Sequence, residues 1–407
     1  MNTKNILYIE ANIDGTVGGS HHCLLETVKY INREKYVPFV LFYQNNALVP
    51  DIKEICEVFI ITQYQGLVIE KKYPLLHEFV KKYKYISKIV LYLQKSINFI
   101  VYYIPNLIFN CKFLMKHKID LVHANNTPDL TDWLIASKLL RIKMVSHLRF
   151  PWSPTYVRKK LIRFYDKIIS ISNYVTNQLK IKGIPCDNVV TIHDGIDVHS
   201  IPATNDSIEN IFKELKISTG TYVIGVIGNI RRWKGQHVAI ESLRTIVKKH
   251  NNIKCLFIGE ISNSEYDAEY YNYLQELVGK YDLRDNVFFT GYRKDVLNIL
   301  SQLDILVHTS ILPEPFGRVV LEGMIFRKPV IATNHGGPME SIVDGVSGFL
   351  VPPENPKLLA DKIMFLMENK DIAKNVGENA RKHVEEKFSI EGNVQKIEGI
   401  YSSLFET

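Results

Sequence analysis

Short apolar runs alternate with stretches of helical spacing almost from one end of the chain to the other, and this rhythm restricts the fold more than any other property. In the first half the runs fall at residues 6–9, 38–43, 58–61, 121–124, 143–147, 167–170 and 189–192. In the second half they fall at 222–228, 253–258, 286–290, 305–309 and 329–333. Such runs suit strands buried on both faces and are too short for core helices. Alternated with helices they build βαβ units, whose strands pair in parallel. A chain of 407 residues is also too long for one ordinary core, so two domains are expected. The expected fold class is therefore α/β, with two doubly wound, Rossmann-like domains facing across a cleft.

The boundary belongs after His193-Asp194-Gly195-Ile196-Asp197, because the following HSIPATNDSIEN is polar and without periodicity. Residues 1–197 then form the first domain and 198–388 the second. A last helix over 389–407 has no strand after it and can pack back on the first domain. In open sheets of this kind ligands sit beyond the carboxyl ends of the strands, so the residues that follow each apolar run matter most.

Composition narrows the classes. With 46% hydrophobic and 23% charged residues the chain reads as a folded, water-soluble protein. Its cysteines, Cys23, Cys56, Cys111, Cys186 and Cys255, are odd in number, scattered and never paired as C-x-x-C. That spacing fits neither a disulfide framework nor a structural zinc site. The N-terminal MNTKNILYIE runs directly into a strand-like segment with no long apolar stretch of a secretory signal, so a cytoplasmic location is expected. Net charge is +7, yet the segment from Lys71 to Lys118 alone carries ten lysines against Glu78, a local +9 that leaves −2 for the remainder. The lysines are interleaved with IVLYL and INFIVYYIPNLIF, a texture unlike a nucleic-acid stripe. Its longest apolar run is shorter than the roughly 20 residues a membrane span needs. The expectation is peripheral attachment to an anionic membrane surface through lysines and apolar side chains, with ordinary buried helices bearing solvated lysines as the alternative.

Six constellations follow strand-like runs. Glu314-Pro315-Phe316-Gly317 comes after ILVHTS, and Gly317 can open a helix that carries Glu322 more than one turn further on. Carboxylates accept from paired sugar hydroxyls, and a helix N-terminus offers free backbone N–H groups. Solvated or salt-bridged glutamates are the ordinary alternative. Arg231, Arg232 and Lys234 lie between Gly228 and Gly235, where cations at a helix start suit a pyrophosphate; an exposed basic turn is the alternative. Gly18-Gly19 lets the backbone approach a ligand and adopt positive φ, as many plain turns also do. His147 ends the run MVSH. Asn334-His335-Gly336-Gly337-Pro338-Met339-Glu340 follows PVIAT, and Gly291-Tyr292-Arg293 ends another run.

The string E-P-F-G-x4-E resembles the E-x7-E signature of retaining glycosyltransferases of family 4, which have the GT-B fold, and weaker matches follow in order over nearly the whole chain. The resemblance implies that Glu314 contacts the donor sugar hydroxyls, that the backbone of Phe316 and Gly317 helps hold them, and that Glu322 grips the ribose. It implies that Lys234 meets the diphosphate. Asn229 stands where the family places an arginine, a place Arg231 or Arg232 can take. It further implies that Gly18 and Gly19 border acceptor and donor phosphates, that His147 contacts the donor sugar, that Gly336 and Gly337 lie near diphosphate and sugar, and that Arg293 flanks the base. The expected catalytic residues are Glu314, Lys234 and His147.

No D-x-D string is present to hold a metal–diphosphate, so no metal and no cofactor are expected beyond the nucleotide-sugar substrate. The first turn also lacks G-x-G-x-x-G, which argues against a nicotinamide enzyme. The resulting expectation is a metal-independent, retaining transfer of a hexose or N-acetylhexosamine from a nucleoside-diphosphate sugar. The acceptor would be a glycan or polyprenyl-linked glycan in surface polysaccharide or glycolipid synthesis. A sugar-nucleotide epimerase, a phosphorylase of similar architecture, and a non-catalytic nucleotide-sugar or lipid-binding protein are the alternatives.

Overall fold

The computed structural model describes residues 3–13, 17–61, 84–199, 211–262 and 264–406. The chain forms two compact units. The first comprises Met1–Ser170, Val175–Thr191 and Ile397–Thr407, and the second Ile171–Tyr174 and Ile192–Lys396.

The first unit holds a parallel sheet of strands β1 (Lys4–Glu10), β2 (Tyr36–Phe42), β3 (Glu57–Ile60), β4 (Leu121–Ala124), β5 (Lys143–Leu148), β6 (Lys167–Ser170) and β7 (Val189–Thr191). Their order is β3-β2-β1-β4-β5-β6-β7, so the winding reverses between β1 and β4. Central strands are buried on both faces, as Ile6, Leu7, Tyr8, Ile9, Leu121 and Val122 are, which is why they read as continuous apolar runs. The helix Ile390–Phe405 brings its last turns to this unit. There Tyr401 is fully buried, with its hydroxyl 2.5 Å from His123 Nδ1 and donating to Tyr8 Oη at 3.2 Å.

The second unit repeats the plan with β8 (Tyr222–Ile227), β9 (Ile253–Ile258), β10 (Val287–Gly291), β11 (Ile305–His308), β12 (Val330–Thr333) and β13 (Phe349–Val351). The order β10-β9-β8-β11-β12-β13 again reverses once, between β8 and β11. Both units are therefore Rossmann-like, doubly wound α/β domains. Helices Gln236–Ile246, Glu265–Lys280 and Pro356–Glu368 cover the sheet with Ile240, Leu243, Leu274, Leu359 and Ile363.

Two expectations are corrected here. Gly18 is extended, with φ −129° and ψ −174°, and Gly19 opens the helix Gly19–Tyr30, so neither uses the left-handed region. Gly18 instead forms the N-cap, its N–H donating to His21 Nδ1 at 3.3 Å. Secondly, apolar sequence beyond residue 88 forms a 29-residue helical stretch, Lys88–Lys116, interrupted by a π-helical turn over Asn98–Tyr103. By length and composition it is sufficient to cross a membrane, because helical continuity carries the apolar character across Lys95 and Lys112. The part of the basic segment from Lys71 to Lys82 lies outside the described residues, as do residues 200–210 near the expected domain boundary.

Candidate functional site

In the second unit the polar residues gather where the winding reverses, at the carboxyl ends of β8 and β11. Glu314 follows β11 and is 5% exposed. Its Oε1 accepts from Lys234 Nζ, from Ser310 Oγ at 2.8 Å, and lies 3.1 Å from His308 Nε2. Burial opposes its charge, but the Lys234 ammonium and His308 outweigh that penalty and hold the carboxyl well below the usual carboxylate range. Among the described residues no hydrogen bond reaches Oε2. A Cβ on Gly317, whose φ is +86°, would sit 3.4 Å from that oxygen, so the glycine leaves it uncrowded.

The two loops are tied to each other by hydrogen bonds. Thr309 Oγ1 donates to the Lys234 carbonyl at 2.9 Å, and Ile311 N–H to the Trp233 carbonyl at 2.8 Å. The Lys234 ammonium lies over the Trp233 ring, 4.4 Å from its centre. A third loop, after β12, closes on the first two: His335 Nε2 and Thr333 Oγ1 both donate to the Ser310 carbonyl. Burial pushes the His335 imidazole below its ordinary range, which suits a ring bound through its own N–H. Gly337 N–H donates to the Glu314 carbonyl at 2.9 Å, and Gly336 pairs with Glu314 as a parallel bridge. Gly336 and Gly337 thus touch the Glu314 to Phe316 backbone directly.

The remaining expected residues are placed as follows. Phe316 is buried, its ring near His193 and Phe388. Gly317 is the left-handed N-cap of helix Arg318–Ile325. Glu322 lies on that helix, 4.0 Å from Arg318 Nε. Arg231 and Arg232 turn away from Glu314 and toward helix Glu265–Lys280: Arg231 is 3.8 Å from Asp267 and Arg232 lies over the Tyr273 ring. Arg293 is held by Asp295 and Glu214 through four hydrogen bonds of 2.7–2.9 Å. Glu340, which closes the Gly336-Gly337 turn, accepts from His193 Nε2 and from the N–H groups of Asn173 and Tyr174 at 2.7–2.8 Å. Burial works against its charge, and these donors more than offset it.

The first unit has its own polar cluster at its reversal point. Glu10 ends β1 and is fully buried; Asn125, just past β4, donates through Nδ2 to Glu10 Oε2 at 2.6 Å and to the Ser20 carbonyl at 3.0 Å. Arg149 donates to the Asn125 carbonyl at 2.9 Å and, at 3.4 Å, to His147 Nδ1. A guanidinium only donates, so the ring proton of His147 is on Nε2, an atom with no hydrogen-bond partner among the described residues. Burial, Arg149 and His123 hold His147 well below the ordinary histidine range, hence neutral. His147 and Gly19 belong to this cluster's surroundings through Arg149 and Ser20.

Sequence reading missed His308, Ser310, Glu10, Asn125 and Arg149. The available signal was a polar residue inside or just past a buried apolar run, as in ILVHTS and LVHAN.

Solved structures share this architecture. A glycosyltransferase from Rickettsia africae superposes with TM-score 0.82 at 24% identity, covering 100% of both chains. HepE from Anabaena, solved in complex with UDP and glucose, gives TM-score 0.76 at 24% identity over 98% of this chain and 100% of its own. The fold is the two-domain GT-B architecture.

Residues 207–383 match the family model for glycosyl transferases group 1, and residues 54–200 that for glycosyltransferase family 4. Among curated proteins the chain is similar to the capsular polysaccharide biosynthesis glycosyltransferase CapM of Staphylococcus aureus. The two are 28% identical over 286 residues, 67% of this chain and 72% of the relative. The matches fall on both halves: a glycosyltransferase family 4 region over residues 54–200 is followed by a glycosyl transferases group 1 region over residues 207–383.

Proposed function

We propose that the protein transfers a hexose or N-acetylhexosamine, with retention and without a metal, from a nucleoside-diphosphate sugar. The acceptor would be a glycan or polyprenyl-linked glycan in surface polysaccharide or glycolipid synthesis at the cytoplasmic side. The observation that carries this reading is Glu314: a buried carboxylate whose Oε1 takes its protein donors while Oε2 is left to a ligand's hydroxyls. UDP is the favoured nucleotide because HepE was solved with UDP and glucose. Polysaccharide synthesis is favoured by the name of CapM.

Cleaving a glycosyl–phosphate bond builds positive charge at the anomeric carbon and negative charge on the departing diphosphate. Lys234 and the N–H groups after Gly228 supply positive potential for the leaving group. Glu322 serves the ribose from the next turn of helix, and His147 offers its Nε2–H to a sugar oxygen. In this reading Arg231 and Arg232 contribute potential rather than direct contact, since both are turned toward helix Glu265–Lys280.

The test is a panel of UDP-, GDP- and ADP-sugars scored for release of nucleoside diphosphate, with the anomeric configuration of the product read by NMR and the rate repeated in EDTA. Release from one donor, with the donor's configuration kept and no loss in EDTA, is the expected result. Binding without release would favour a nucleotide-sugar binding protein. Conversion of the free donor to its epimer would favour an epimerase.

A further inference from the structure

Among the described residues the helical stretch Lys88–Lys116 buries side chains only near its C-terminus, with Tyr103 further back donating to the Thr131 carbonyl at 3.4 Å. Near its C-terminus Asn110 donates to Asp132 at 3.1 Å, and the buried Phe113 meets Phe59 and Trp133 edge to face. From residue 88 to residue 109 no side chain is buried. Ile89, Leu93 and Ile97 are exposed at i, i+4 and i+8, while Lys88 and Lys95 project from the opposite side at 100° per residue. Phe99, Ile100 and Val101, three successive residues that point in three directions, are each more than half exposed.

We propose that this helix docks the protein in plane on the surface of an anionic lipid bilayer. The sheet decides against a crossing. Strand β3 precedes the helix and β4 follows it within the same sheet, so a single crossing would divide one folded unit between two compartments. A return crossing would fall to residues 62–83, which contain Glu70, Lys71, Lys72, Glu78, Lys81, Lys82 and Pro74. Six charges are incompatible with a hydrocarbon core. Its first turns, with Lys88 and Lys95 on one side and Ile89, Leu93 and Ile97 on the other, have the composition of an interfacial helix, and Phe99, Ile100 and Val101 extend the exposed apolar surface.

Charge selects the partner. The segment from Lys71 to Lys118 carries +9 in a chain whose remainder carries −2, which complements anionic headgroups. A second copy of the chain would bring the same lysines and few acids to meet them. The same texture recurs nearby in the unit. The helical stretch packs on helix Thr131–Leu139, which with Leu161 and Phe164 lines an apolar groove of about 310 Å³. Beside it Val157 and Phe164 are more than half exposed among the exposed Lys160 and Arg163.

The test is flotation of the purified full-length chain with phosphatidylcholine vesicles, with and without phosphatidylglycerol. The protein is expected to float with the anionic vesicles only and to be released by salt. Phe99→Asp with Ile100→Asp is expected to abolish flotation at an unchanged melting temperature. Lys88→Gln with Lys95→Gln, which leaves the apolar side intact and touches no core residue, is expected to weaken partitioning about 30-fold, from about a factor of five per lysine. No flotation at low salt, or flotation indifferent to both pairs, overturns the proposal. So does a dimer in solution that Phe99→Asp with Ile100→Asp splits, since the covered face would then belong to a second copy. None of these readouts depends on sugar transfer, so this proposal and the transferase reading can fail separately.

Discussion

Lys234 Nζ donates to Glu314 Oε1, joining the loop after β8 to the loop after β11 across the reversal point of the second sheet. The lysine neutralises a buried carboxylate, and in the proposed transfer it has a second task, presenting positive charge to the departing diphosphate. Lys234→Ala removes both. Turnover is expected to fall about 100- to 1,000-fold, roughly 3 kcal/mol of barrier. Stability is expected to fall by about 3 kcal/mol as well, because Glu314 becomes a buried charge without its cation. Lys234→Ala combined with Glu314→Gln should recover most of the stability and none of the activity. Urea denaturation and nucleoside-diphosphate release measure the two separately. A double variant as unstable as Lys234→Ala alone would rule out the ion pair as the source of the loss.

The same carboxylate sets an acid limit. Its native pKa is depressed below the ordinary value of 4.5. A depressed carboxyl contributes stability that is complete above the unfolded value and is lost as pH falls below it toward the native one. Glu340, also depressed, adds in the same direction. Between pH 6 and pH 3 the wild type is therefore expected to lose stability more steeply than Glu314→Gln, with the curves diverging below about pH 4.5. Parallel curves would show that Glu314 titrates alike in both states.

Gly336 and Gly337 work by what they lack. A Cβ on Gly336 would lie 2.4 Å from the Glu314 carbonyl oxygen, and one on Gly337 2.2 Å from Phe316 Cα. Gly336 also has φ +67°. Gly336→Ala must push the β12 loop off the β11 loop and move Glu314, so about 2–3 kcal/mol of stability and most activity should be lost. Gly345→Ala is the control: φ is +75° but nothing lies within 4 Å of its Cβ, so only the backbone cost of about 1 kcal/mol is expected. Equal losses at the two sites would remove the role of close loop contact.

Arg293 belongs to a clamp rather than to an open site. Its guanidinium is shared by Asp295 and the half-exposed Glu214, which raises its already high pKa and pins helix Ile211–Glu214 to the turn after β10. Arg293→Ala is expected to cost about 1 kcal/mol of stability, the range of partly exposed pairs, and to leave the donor KM unchanged. A large rise in KM at normal stability would restore the residue to the base site.

Most of the fold was legible because parallel strands buried on both faces are written as apolar runs. Residues 121–124, 167–170 and 253–258 coincide with β4, β6 and β9, and the other runs differ from their strands by one or two residues at an end. β13 escaped because Gly348 and Pro352 cut its apolar run to Phe349–Val351, whereas the equally short β7 is prolonged in sequence by Ile192. The site was legible only as loops. Arg231, Arg232 and Lys234 look equivalent in sequence, yet the 3-10 turn Arg232–Lys234 rotates the lysine inward and the arginines toward helix Glu265–Lys280. Glu314 and Asn125 needed the strand order before their neighbours could be named, since Lys234 and Glu10 reach them from other strands. Local pattern carries no record of such pairings.

The buried histidines of the first unit give a test at milder pH. His123 and His147 stand with ring centres 5.5 Å apart in the interior. Burial, reinforced by Arg149, lowers His123 to about 3 and holds His147 well below its ordinary 6.5. Both rings therefore resist protonation in the native protein as pH falls through 6.5, whereas in the unfolded chain each becomes protonated there. Stability must fall as pH falls below 6.5, by up to about 2.7 kcal/mol per pH unit for two protons. This loss begins about two units above the one due to Glu314, so the two are separable. His147→Asn is expected to cut the slope between pH 6.5 and pH 5 by about one proton's share of it. Arg149→Met should also flatten that slope, because removing a neighbouring cation lets both rings protonate more readily in the folded state. If Arg149 also fixes the His147 proton on Nε2, the same variant should lower kcat more than it raises the donor KM. A purely structural arginine would alter stability and leave that ratio alone.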